Sequence, residues 1–267
     1  MILTQDSDVH PKAIEQSDII VNRATIPDEL PPAYASDSQT KPAAGPVNDP
    51  LAPMPLPDSV RPMNFLSISR GNTSIKGKYV IDPRIKIPQA MLPPLAEDET
   101  EATRRNVFLD SIYGNIDADI FVVGDGDLKQ NFVSMLMKST NGSVVVRVHA
   151  SAAPRPPIHI KATSTYGSVT LHVPRSFRGP ATIRTTYGSV RISDSLSAEL
   201  TTFSEVKQTR RCFIGDYADW AEQPEGWTGD EIDVETTNGN VKLQYDVEQP
   251  NVGSPKGKGL FAKLFGA

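Results

Sequence analysis

The sequence predicts an all-β fold, a β-solenoid of irregular coils, and three observations carry that reading. Residues 158–192, IHIKATSTYGSVTLHVPRSFRGPATIRTTYGSVRI, hold two copies of one unit: an alternating apolar arm, a Thr-Tyr-Gly-Ser corner and a second alternating arm. The corner recurs at Gly114 (IYGN), Gly142 (TNGS), Gly167 (TYGS), Gly188 (TYGS) and Gly239 (TNGN). Around each of these glycines the positions seven and five before it and two and four after it are apolar, in a chain that is 38% hydrophobic overall.

Alternate side chains of a strand share one face, so each arm reads as a short half-buried strand. The glycine admits a positive φ at the corner, and the Asn or Ser beside it bonds to the local backbone. Two closures satisfy the pattern. Asn-Gly between alternating arms is a hairpin signal, which gives an antiparallel meander or sandwich. Spacings of 28, 25 and 21 residues between successive glycines suit one coil per repeat instead, each arm stacking on the same arm of the next copy and burying a shared core. The solenoid is the preferred closure.

Taken in order, residues 1–61 form an acidic Pro-rich tail. The first 60 residues carry nine acids, three bases and ten of the 23 prolines, a composition expected to stay disordered. Within it Leu30-Pro31-Pro32-Ala33-Tyr34 is a PPxY sequence; Pro31 and Pro32 pre-set a polyproline II turn and Tyr34 adds a second anchor. It resembles ligands of WW domains, as found in HECT-type ubiquitin ligases. Residues 62–248 are the repeat domain. It opens with a partly polar unit around Gly71, where Leu66 and Ile75 keep the pattern, as expected of a cap. Residues 83–105 interrupt with prolines and charges as a surface excursion. Between Gly188 and Gly239, AELTTFSEVKQT echoes ATIRTTYGSVRI and reads as a degenerate coil. The following loop, with Trp220 and Trp227, is expected to fold back over the end of the domain. Residues 249–267 form a short basic and apolar tail. Wound as a helix, Phe261, Leu264 and Phe265 share a stripe with Leu260, flanked by Lys256, Lys258 and Lys263, and this offers a weak membrane-surface contact.

Formal charge is −5, and outside the acidic tail the balance is near +1, which gives nucleic-acid binding no support. A single cysteine, Cys212, excludes an internal disulfide framework. No basic-then-apolar leader and no run of eighteen apolar residues is present, so a cytoplasmic location is expected. His149, His159 and His172 fall on outward positions without metal-ligand spacing, and Gly124-Asp125-Gly126-Asp127 lacks the downstream acid of a calcium loop. No metal or cofactor is expected. Two acidic pairs, Asp117 with Asp119 and Asp233 with Glu235, lie on outward strand faces; a carbohydrate-active or other solenoid enzyme would need such acids gathered in one groove.

The run TYGSVTLHVPRSFRGPATIRTTYGSV, followed by GWTGDEIDVETTNGNVKLQY, resembles an uncharacterised domain of fungal proteins that carry Pro-rich acidic N-terminal regions. The repeated T-x-G-x-V corner is similar to the bacterial "putative adhesin" repeat domains, and that resemblance implies a single-stranded right-handed β-helix. Neither family brings catalytic residues to these positions. The expected function is a non-enzymatic intracellular interaction or scaffold protein, in which the β domain offers a rigid surface and the PPxY sequence recruits a WW-domain partner. A peripheral membrane or adhesin-like protein is the alternative beside the solenoid enzyme.

Overall fold

The chain is described by a computed structural model that covers residues 56–246, apart from 58, 125–131, 152–153 and 223. It is all-β with two short helices. The strands are β1 (Pro62–Met63), β2 (Leu66–Arg70), β3 (Ile75–Ile81), β4 (Val107–Ser111), β5 (Ile116–Val122), β6 (Val133–Ser139), β7 (Val144–Ala150), β8 (Ile158–Ser164), β9 (Val169–Val173), β10 (Gly179–Thr185), β11 (Val190–Ile192), β12 (Leu200–Val206), β13 (Thr209–Ile214), β14 (Glu231–Thr236) and β15 (Val241–Tyr245). Helix α1 (Asp194–Ser197) follows β11 and α2 (Ala218–Glu222) follows β13.

One sheet runs β1-β3-β5-β7-β9-β15-β11, all parallel; the other runs β12-β13-β10-β14-β8-β6-β4-β2 and is parallel except for its β12-β13-β10 end. The two arms around each corner glycine therefore lie in different sheets, and the corner is a passage between sheets rather than a hairpin turn. Period-two patterning sends alternate residues inward, where side chains from both sheets make one hydrophobic cluster. Register follows the corner: Val107 pairs with Met135, Met135 with Ile160, and Ile116 with Val144. Of the twenty apolar positions picked out by the repeat, eighteen are buried. The two exceptions, Val190 and Ile192, are half-buried because β11 is the last strand of its sheet.

Four sequence expectations are corrected. First, none of the five corner glycines has a positive φ; Gly124 and Gly215 are the described glycines that do. A corner Cβ is excluded instead by stacking. At Gly142 it would lie 2.2 Å from the Gly114 carbonyl oxygen, and at Gly167 2.3 Å from that of Gly142. Second, the corner of the opening unit is Thr73, not Gly71. Leu66 pairs with Val107 and Ile75 with Ile116, and the oxygen beneath Gly114 belongs to Thr73. A residue with a side chain fits there because no corner lies beneath it. Third, residues 200–214 are an antiparallel hairpin, not a coil: β12 pairs with β13 around Lys207 and Gln208, both left-handed (φ 46° and 57°), and β13 continues antiparallel onto β10.

Fourth, the order in space departs from the order in sequence. The last unit, β14–β15, lies between the units of Gly167 and Gly188, with Ile232 paired to both Ile160 and Ala181. Asp230, immediately before β14, pins this insertion. Its carboxylate accepts hydrogen bonds from the backbone N–H of Ile158 on one side (2.9 Å) and of Arg178 on the other (2.9 Å), and from the buried Arg155 guanidinium in a two-pronged pair at 2.7 and 2.6 Å. Charge on the outer face agrees with the insertion: Asp233 lies 3.6 Å from both Lys161 of β8 and Arg184 of β10, and Arg184 donates to Glu235 at 3.2 Å.

Candidate binding surface

The stacked corners build one long exposed edge from columns of equivalent residues. The inner column is hydroxyl. Three residues before each glycine stand Ser111, Ser139, Ser164, Thr236 and Thr185, and all five are buried. Ser139 accepts from the Gly142 N–H (2.9 Å) and donates to the Gly114 carbonyl (3.0 Å). Ser164, Thr236 and Thr185 likewise donate to the carbonyls of Gly142, Gly167 and Gly239 at 2.8 to 2.9 Å. This column satisfies corner backbone groups that the sheets cannot reach. Residues after the glycine also link units rather than bonding locally: Ser143 N–H donates to Asn115 Oδ1 at 2.8 Å and Ser189 N–H to Asn240 Oδ1 at 2.9 Å.

The outer column, one residue before each glycine, is Tyr113, Asn141, Tyr166, Asn238 and Tyr187 in spatial order. The backbone fixes that order. Asn141 N–H donates to the Ile112 carbonyl, Tyr166 to Thr140, Asn238 to Thr165 and Tyr187 to Thr237, at 2.8 to 2.9 Å. Because β14–β15 is inserted, tyrosine and asparagine alternate. Tyr113, Tyr166 and Tyr187 are 66, 61 and 73% exposed and Ile112 is 46% exposed. Neither column carries a charged residue, nor do the residues two before and one after each glycine. The hydroxyl column was readable in the sequence as an unbroken Ser/Thr position. The alternation was not, since it exists only in the spatial order of the units.

The outward acids that the sequence singled out are not brought together. Asp117 and Asp119 lie on β5 and Asp233 and Glu235 on β14, in different sheets. Arg147 donates to Asp117 and Asp119 at 2.9 and 3.0 Å. His149 stacks on Phe121 and stands 3.3 Å from Asp246 and 3.8 Å from Asp119. His172 contacts Gln244 at 3.1 Å, and burial, with Arg147 and Lys242 nearby, pushes its imidazole down to about 4. His159 stacks on Phe132 and its Nε2 lies 3.0 Å from the Gly229 carbonyl oxygen. Cys212 is buried against the Ala181 carbonyl, and burial raises its thiol to about 11. The outward histidines and charged pairs tie neighbouring strands together, whereas Cys212 belongs to the core. The tryptophan loop folds back as expected: Trp220 and Trp227 pack on the buried Phe213. The 83–105 excursion leaves a shallow cavity of 260 Å³ between Pro93, Leu95 and Arg104 on one side and Leu66 and Phe108 on the other. No helix of the described residues is long and apolar enough to cross a membrane. Pro31, Pro32 and Tyr34, and Lys256, Lys258, Phe261, Lys263, Leu264 and Phe265, lie outside the described residues.

One solved structure similar to the chain is a "putative cell adhesion protein" from Clostridium sporogenes, at 11% identity and a TM-score of 0.36, over 68% of this chain and 94% of that one. No curated protein matches. Residues 64–248 match a domain of unknown function, and by that match the chain belongs to the DUF7330 family.

Proposed function

We propose that the protein is a non-enzymatic interaction module: a right-handed single-stranded β-helix whose corner edge is its recognition surface, carried in the cytoplasm beside a PPxY sequence that recruits a WW-domain partner. The observation that carries the reading is the exposure of Tyr113, Tyr166 and Tyr187 in one uncharged column. Large aromatic groups held in water at regular intervals contribute nothing evident to the core, and rigid aromatic anchors are what binding surfaces use. The outward carboxylates, by contrast, are engaged by Arg147 and Arg184, which supports a structural use for them.

The test compares proteins co-purifying with the full chain, with a triple Tyr113→Ser, Tyr166→Ser, Tyr187→Ser variant, and with Tyr34→Ala. The triple variant is expected to lose one set of partners and Tyr34→Ala a WW-domain protein, both at unchanged melting temperature. Identical partner lists from all three chains overturn the proposal. A labelled 26–38 peptide that shows no polarisation change against a WW domain removes the PPxY part alone.

A further inference from the structure

The spacing of the tyrosine column selects its occupant. Adjacent strands lie about 4.8 Å apart, so tyrosines on every second rung stand about 9.6 Å apart. A polyproline II helix advances about 9.3 Å per three residues, one full turn. Over the two gaps from Tyr113 to Tyr187 the mismatch is only about 0.6 Å. An extended strand presents one face every ~6.7 Å and misses the middle tyrosine. Two α-helical turns advance about 10.8 Å and drift by more than 2 Å over the same span. Polyproline II also leaves its carbonyls without internal partners. Between the tyrosines stand the exposed Asn238 and Asn141, the latter with one amide hydrogen given to the Ile112 carbonyl (3.2 Å) and one left over. Docking of such helices on aromatic-lined surfaces is an established mode of recognition.

The chain itself carries a segment with that period. In Pro50-Leu51-Ala52-Pro53-Met54-Pro55-Leu56-Pro57, Pro50, Pro53 and Leu56 recur every third residue, and the eight residues hold no charge, like the columns they would meet. Leu56, at the end of this segment, is 45% exposed. The same copy is poorly placed to supply it. Pro62 pairs with Val80, five residues along β3 from its corner end at Ile75 and so roughly 16 Å from that end. The Val60 N–H donates to the Pro57 carbonyl at 3.2 Å, which draws those two residues together and shortens the reach.

We infer that the tyrosine column is a docking track for the 50–56 segment of a second copy of this chain, bound as polyproline II with Pro50, Pro53 and Leu56 each against one tyrosine. This rests on the reading of the corner edge as a recognition surface and names what it recognises.

The test titrates the full-length chain into a labelled peptide of residues 46–58 and follows polarisation, with sedimentation of the full chain as the second readout. Saturable binding is expected, weakened about tenfold by Tyr166→Ser, whose central ring meets Pro53. A peptide with one glycine inserted after Pro53 keeps the composition but breaks the period, and is expected not to bind. In sedimentation the weight-average mass of the wild-type chain rises with concentration and that of Tyr166→Ser does not. Absence of peptide binding, equal binding by the Tyr166→Ser chain, or equal binding of the interrupted peptide each overturns the inference. Peptide binding with a mass that stays constant overturns the second copy as occupant. If the triple serine variant loses its partners while the 46–58 peptide never binds, the docking track fails and the recognition edge stands.

Discussion

At Gly142 a methyl group has nowhere to go, because the atom it would strike is the backbone carbonyl of the corner beneath, at 2.2 Å. Backbone in a stacked sheet cannot step aside as a long side chain can. Gly142→Ala is therefore expected to cost about 3 kcal/mol in urea denaturation, the upper end for overpacking, whereas Gly71→Ala, with nothing within 4 Å of its Cβ, is neutral or slightly stabilising. A comparable loss at both positions would contradict the stacking account. His172 sets a second expectation. Its folded value of about 4 lies below the ordinary 6.5, through burial first and then the charges of Arg147, Lys242 and His149, with Asp246 opposing them. Between those limits the unfolded chain takes up a proton that the folded chain does not. The contribution of neutral His172 is thus complete above pH 6.5 and declines as pH falls toward 4, by at most about 3 kcal/mol. Melting curves across that window should show a shallower acid slope for His172→Gln.

The strand was the scale most legible in the sequence, since four apolar positions around each glycine located ten arms and their inward faces. The prediction at this scale nevertheless needs the neighbours. Val169 is fully buried between β7 and β15, while Val190 is only half-buried on the sheet's last strand. Val169→Asp should therefore unfold the domain, because a lone carboxylate in the core has no partner. Val190→Asp should lower the melting temperature only modestly, and Thr170→Asp, facing outward, should be tolerated. Equal effects at 169 and 190 would show that position within the unit, rather than within the stack, sets burial. Two features were hidden for related reasons. The echo of TTYG in Thr201-Thr202-Phe203-Ser204 suggested a coil, but without a glycine the corner cannot stack, and the left-handed pair Lys207-Gln208 turns the chain back instead. Asp230 looked like one more loop acid, yet it holds two segments, 155–158 and Arg178, each more than fifty residues away from it in sequence. Asp230→Asn leaves the Arg155 guanidinium buried without its counter-charge, and a loss of about 3–5 kcal/mol is expected by thermal or chemical denaturation.

For the molecule as a whole, the inserted last unit decides how stability is distributed. In a stack laid down strictly in sequence, removing the C-terminal unit would strip one outer layer and leave the rest intact. Here β14 and β15 are internal, flanked by β8 and β9 on one side and by β10 and β11 on the other. The 179–214 region, including the β12–β13 hairpin that closes one sheet edge, is consequently separated from the first four units in both sheets by residues 231–245, and its sheet hydrogen bonds toward those units run through β14 and β15. Local stability follows such connections, and segments that share an interface open together. A chain ending at Gly229 should then lose two units rather than one. By hydrogen exchange, protection in 179–214 should collapse along with the deleted strands, while 107–122 and 133–173 keep theirs. In the intact chain, 179–214 and 231–245 should exchange as one cooperative block, distinct from the first four units. Retained protection of β10 and β13 in the truncated chain would mean that β10 can pair directly with β8. The insertion would then be an arrangement the fold tolerates, not the joint that holds its last third in place.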